Sequence, residues 1–552
     1  MARKLFVTVW LVFLLVLLSL TALACGGGGE EEEQATPPPG GSPGATAAAT
    51  QQTGPKYGGT LNYATNTNIL TLDPHTERDF ATQPVLCRLY SSLLRLKYDS
   101  LVESPGKMEI VGDLAKSWEQ TDPTTYVFHL YEGVRFANLP PVNGRELTSE
   151  DVKYSFERMK SPSPLIVLRS AFESIASIET PDKYTVVFKF NSPNAPFISN
   201  VAYPWATIMP KELVDEGQTT KKAIGSGPFI VTKFEHSEGV KLEKNPDYFK
   251  KDAQGNQLPY LDAVDWAVVP DSATRLAAFR SGKLDVLEVA ANEIDPLKKS
   301  NPDVVLGEYF VPWFDELPMD CNKPPFNDVR VRQAVKFASD YSEYVKTLYG
   351  SRGRQVGPVG GLVDWSLPDS ELQQHGYNPE KAKALLAEAG YAGGLKVTAT
   401  IVTGSTWPVV MQDQLRRVGI DVKLDELTLV EWMVRVYSTK SDFQISAQPH
   451  YGYADPDGFL YTFFHSKGAE NNTHYSNPQV DALLDEQRST LDVAKRKEIV
   501  NEIQRILLDE SPVVWLDTAY HQTALQKYVR GWYPDFLLVQ NPGNIEEMWL
   551  DK

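Results

Sequence analysis

The chain has 552 residues, 42% of them hydrophobic and 11% aromatic, which is too many for one core and suits about two or three folded domains. Acidic residues outnumber basic ones by 71 to 54, a net charge of -17 that argues against a nucleic-acid partner. The cysteines are Cys25, Cys87 and Cys321; a disulfide scaffold is excluded, and the last two are expected as buried thiols.

Arg3 and Lys4 precede a run from Leu5 to Leu20 that is apolar apart from Thr8 and Ser19, followed by Ala22-Leu23-Ala24-Cys25. This predicts a cleaved export signal over residues 1–24, too short and wrongly flanked for a lasting membrane span. Four glycines, four glutamates and a Pro/Gly/Ala/Thr/Gln stretch then predict a solvated tether over 25–57. A cysteine at the cleavage point resembles the lipobox of bacterial lipoproteins, which implies lipidation at Cys25 and a membrane-held domain. Ala22 stands where that pattern prefers Leu, and Ala22-x-Ala24 also suits ordinary signal peptidase, so a freely secreted chain is the competing expectation. No later segment is apolar enough to span a bilayer.

Further along, alternation over Tyr126 to Leu130 predicts a strand, and Ser174 to Thr180 with Tyr184 to Phe190 predicts a hairpin through Pro181-Asp182-Lys183. Between them Thr148 or Ser149 opens a helix with Val152, Phe156 and Met159 on one face. From about Asn322 helices alternate with strands. Asn378-Pro379 and Asn477-Pro478 each place a capping residue before a proline, Gly390 ends the first of these helices, and Asp492 opens one whose stripe is Ile499, Ile503, Ile506 and Leu507. Leu395 to Thr403, a helix to Val418, Ile420 to Leu427, a helix around Trp432 and Asp442 to Ala447 form a β-α-β-α-β series, hence a partly parallel sheet.

Ligands of open α/β sheets sit beyond the carboxyl ends of the strands. Two loops leave such ends, Gly404 to Trp407 and Pro449 to Gly458, and both are expected to face one crevice. Trp407, Tyr451 and Tyr453 offer flat apolar surface, and Asp455 or Asp457 can pair with a ligand ammonium group; turn chemistry explains Asp-Pro-Asp-Gly equally well. No G-x-S-x-G, H-E-x-x-H, G-x-x-x-x-G-K-[ST] or G-x-G-x-x-G motif occurs, and His450, His465 and His474 match no metal-ligand spacing. No catalytic residue, metal or cofactor is therefore expected. Gly350 to Gly361, with Arg352 and Arg354, reads as an exposed loop.

Taken together, several segments resemble bacterial extracellular solute-binding protein family 5, the peptide- and nickel-receptor branch of ABC import systems. They are Gly58-Gly59-Thr60-Leu61 with Leu72-Asp73-Pro74, Leu114 to Glu119, Thr125 to Leu130 with Gly133 to Phe136, and Leu147 to Phe156. Gly225 to Phe229, Asn245 to Phe249, Pro325 to Ala334, Asp455 to Leu460, Tyr475 to Pro478 and Ile503 to Leu507 complete the set.

The resemblance implies an α/β, two-lobed periplasmic-binding-protein-like fold of class II with an extra subdomain on the first lobe. Lobe I would comprise 58–90, 194–311 and 517–552, the extra subdomain 91–193 and lobe II 312–516. It also implies a monomeric receptor that closes over a peptide or related small solute and hands it to ABC permease subunits. In peptide-binding members an aspartate before the Phe-Leu motif takes the ligand's α-ammonium group; Asp455 is the nearest match and Asp457 the alternative. Receptors for oligosaccharides or metal chelates, a secreted hydrolase and an adhesive surface protein are the competing readings.

Overall fold

The computed structural model describes residues 54–77, 82–97, 108–163, 165–310, 313–437, 441–450, 452–534 and 543–552. The export segment, Cys25, the tether to residue 53 and Tyr451 lie outside them. The end of the predicted tether already touches the folded body: Tyr57 Oη donates to the Gln257 carbonyl at 2.8 Å, and Lys56 pairs with Asp551 at 2.6 Å.

A mixed four-stranded sheet joins distant parts of the chain. Thr60–Thr65 runs parallel to Ala263–Val268, which continues antiparallel through Gly239–Lys244 to Phe229–Glu235. Beside it Ala115–Asp122, Thr125–Leu130, Thr185–Phe190 and Ile175–Asp182, in that spatial order, form an antiparallel sheet that includes the predicted hairpin. The alternation over Thr125–Leu130 buries Tyr126, Phe128 and Leu130 in the same core as the apolar face of the helix Ser149–Met159. Thr148 and Asp151 close a capping box at that helix's start, and Val152, Phe156 and Met159 are fully buried.

The predicted parallel series is present: Ile420–Leu427, Leu395–Val402 and Ile445–Ser446 lie side by side, all parallel. Its third strand is shorter than the sequence suggests. The Gln444 side-chain carbonyl takes the Thr398 amide at 2.9 Å, so a side chain replaces the backbone acceptor just before the ladder begins. Asn378, Asn477 and Asp492 cap Pro379–Glu388, Pro478–Ser489 and Val493–Glu510 as read from sequence. Gly390 adopts φ +91° just past the first of these, where only a residue without Cβ is unstrained.

The Gly-rich segment is not merely a loop. Gly353–Gln355 pairs with the long strand Val513–Leu525, and Arg352 reaches Glu308 at 2.6 Å. That long strand belongs to two packing regions. Its first residues pair with Phe314–Pro318, where Val514 and Leu516 join the core beneath the parallel sheet; its last residues pair with Val286–Glu288 and Val305–Phe310, where Ala524 and Leu525 join other clusters. At the crossing, Asp315 and Asp517 are register partners, both buried. Tyr344 and Tyr349 donate to Asp315 Oδ2 at 2.8 and 2.9 Å, whereas neither oxygen of Asp517 has a hydrogen-bond donor among the described residues.

Candidate functional site

A pocket enclosing about 900 Å³, open mouth included, lies between segments far apart in the chain. One wall comes from Leu168 and Ala171 beside Asn200, Tyr203 and Trp205; the other from Gly452 to Asp457 with Arg488. Tyr203 stacks on Trp205 with ring centroids 4.5 Å apart and 15° between planes, and lies nearly parallel to Tyr453 at 6.1 Å. The walls also bond directly. Tyr203 Oη donates to the Gly452 carbonyl at 2.8 Å, and the Ala195 amide donates to the Arg488 carbonyl at 2.8 Å.

Tyr453 is half-buried at the wall and meets Phe459 edge-on at 5.0 Å. The approach depends on Gly458, where a Cβ would overlap the Tyr453 ring. The indole N–H of Trp205 is buried with no acceptor among the described residues. Hydrogen-bonding groups in that position call for a partner, because an unmade bond leaves the full desolvation penalty.

The two aspartates do not present free carboxylates. Asp455 is the N-cap of the helix Pro456–Phe464, where its Oδ1 accepts the Asp457 amide at 2.9 Å. Arg496 grips the same carboxylate through both Nη atoms, at 2.8 and 2.5 Å. Asp457 is held by Arg488 Nε at 2.8 Å, Arg488 Nη2 at 2.9 Å and Gln487 Nε2 at 2.5 Å. Gln487 Oε1 accepts from Arg496 in turn, so two carboxylates, two guanidinium groups and one amide form a closed, charge-balanced network. Burial works against the Arg496 charge, yet Asp455 more than offsets it and the guanidinium titrates above its ordinary value.

Neither Asp455 nor Asp457, the expected ammonium receptors, presents a free carboxylate, for a physical reason: Asp455 already has the buried Arg496 as partner and Asp457 the half-buried Arg488. Trp407 is also displaced from the expected crevice. It packs on the core under the parallel sheet and meets Tyr344 edge-on at 6.0 Å, apart from the pocket that Tyr453 lines. Tyr451 falls outside the described residues. Cys87 and Cys321 form no disulfide, and both are half-buried rather than buried as expected; desolvation still raises the Cys321 thiol to about 11. Among the described residues no cluster of three or more His, Cys, Asp or Glu could hold a metal; His450 binds Glu316 at 3.1 Å and His474 binds Asp320 at 3.0 Å.

Sequence reasoning missed Tyr203, Trp205, Arg488 and Arg496. A signal existed for Arg496, which stands three residues before Ile499 on the buried stripe of Val493–Glu510, and for Gln487, which continues the buried spacing of Val480 and Leu484. A polar residue on such a stripe needs a buried partner. Tyr203-Pro204-Trp205 carries no periodic signal.

The model for bacterial extracellular solute-binding proteins, family 5 (middle), matches residues 109–471. A probable D,D-dipeptide-binding periplasmic protein of Escherichia coli K12 is 28% identical over 496 residues, covering 85% of this chain and 90% of its own length. Among solved structures, the periplasmic binding protein DppA of Helicobacter pylori in complex with the peptide STSA superposes with a TM-score of 0.77 at 26% identity, over 90% of this chain and 99% of that one. The binding protein AgaA of A. tumefaciens R10 with agropinic acid superposes at 0.76, also at 26% identity and with the same coverage.

Proposed function

Since the chain belongs to the bacterial extracellular solute-binding proteins of family 5, we propose that it captures peptides or a related small solute in the pocket walled by Tyr203, Trp205 and Tyr453. It is an extracytoplasmic, non-enzymatic solute-binding component of an ABC import system with the α/β periplasmic-binding-protein fold. Family membership sets the hydrolase reading aside. In this proposal residues 58–90, 194–311 and 517–552 make lobe I, 91–193 the extra subdomain and 312–516 lobe II, so the pocket falls where the lobes close. Lipidated Cys25 would hold the receptor beside its permease.

One observation carries the reading: the hydrogen bond from Tyr203 to Gly452 joins the two pocket walls across 249 residues of chain. Walls that meet in this way suit a receptor that closes over its ligand. A ligand with differential contact to the two walls shifts the population toward the closed form and stabilises it by mass action. Titrating the mature protein with a mixed tetrapeptide library should reduce the radius of gyration in small-angle scattering and raise the melting temperature. A library that binds yet leaves the scattering profile unchanged argues against closure.

A further inference from the structure

We propose that the pocket receives a neutral, carbonyl-bearing apolar part of its ligand, such as an acylated or internal stretch of peptide, and reads no terminal ammonium group. This rests on the capture reading above and narrows it. Three observations point the same way. Among the described residues the two aspartates on the wall are engaged, Asp455 by Arg496 and Asp457 by Arg488 and Gln487, and Glu470 also has an interaction of its own. An ammonium group seeking Asp455 would have to displace a two-pronged arginine pair and strand a buried guanidinium, a loss larger than the contact it gains. The wall also carries Tyr203 and Trp205 stacked beside a half-buried Tyr453, with Leu168 and Ala171 near them, which suits flat or aliphatic groups.

The third observation is the buried Trp205 indole N–H, which lacks an acceptor among the described residues. A carbonyl oxygen complements that donor. An ammonium group, itself only a donor, cannot. Amide-rich ligands therefore fit the wall through their interior while their termini stay outside it.

The test uses the whole mature protein and three probes: a tetrapeptide library with free amino termini, the same library N-acetylated, and N-acetyltryptophan amide. Bound species are read by native mass spectrometry and affinities by calorimetry. Free and acetylated peptides are expected to bind within about three-fold of each other, and Trp205→Phe, which keeps a ring and removes the N–H, should weaken both by about ten-fold. Binding confined to free amino termini overturns the inference and leaves the peptide reading intact. Binding of N-acetyltryptophan amide without either library supports the inference and sinks the peptide reading. Failure of all three probes overturns both, and an unchanged affinity in Trp205→Phe overturns the carbonyl contact.

Discussion

Asp315 and Asp517 face each other across paired strands, and the tyrosine hydroxyls serve only one of them. Burial raises Asp315 to about 6, with the two tyrosine bonds opposing that rise and the neighbouring Glu316 adding to it. Burial, followed by the Asp315 charge, holds Asp517 well above the ordinary carboxylate range. A carboxyl whose folded value lies above its unfolded value binds its proton more tightly when folded. Its stabilising contribution is complete below the ordinary range near 4 and is lost as pH rises through about 6 and beyond. Asp517→Asn keeps the shape and removes one ionisation. It should stabilise the protein by about 1–3 kcal/mol at pH 8 and by much less at pH 5, measured by urea midpoints. Equal changes at both pH values would rule out a titrating pair at the crossing.

The helix Pro456–Phe464 shows how one short element was half legible. Asp455-Pro456 uses the same grammar as Asn378-Pro379 and Asn477-Pro478, a capping side chain followed by proline at the first helical position. The latter two predict helix starts from sequence, whereas Asp-Pro-Asp-Gly is explained equally well by a turn or by a ligand-pairing aspartate. Gly458 is needed for the Tyr453 ring to lie against the helix. Asp455→Ala removes the cap and leaves Arg496 buried without its partner, so it should destabilise by about 3–5 kcal/mol in denaturant melts. A loss below about 1 kcal/mol would mean that Arg496 finds water or another acceptor. Local periodicity revealed the parallel sheet, the capped helices and the antiparallel hairpin, because each is decided by neighbours in sequence. The pocket was less legible: Tyr203 meets Gly452, and Arg496 meets Asp455, only through tertiary closure, and the stripe that marks Arg496 as needing a partner does not say which one.

At the scale of the molecule, the acidic balance and the stretch between Cys25 and the first strand suit a body held near a membrane without inserting into it. Among the described residues no helix is long and apolar enough to cross a bilayer, and the anchor proposed above is Cys25. Cys25→Ala should therefore release the chain from the membrane fraction with its melting temperature unchanged; retention after a high-salt wash would contradict lipid anchoring. The long strand Val513–Leu525 carries a different consequence, one of timing. Val286–Glu288, Val305–Phe310 and Phe314–Pro318 all take it as a ladder partner. During synthesis from the amino terminus these strands must wait some two hundred residues for it, and late pairing of this kind is slow. For a chain bound for export that delay keeps these particular strands unpaired, and so threadable through a translocation channel, until almost all of it has been made.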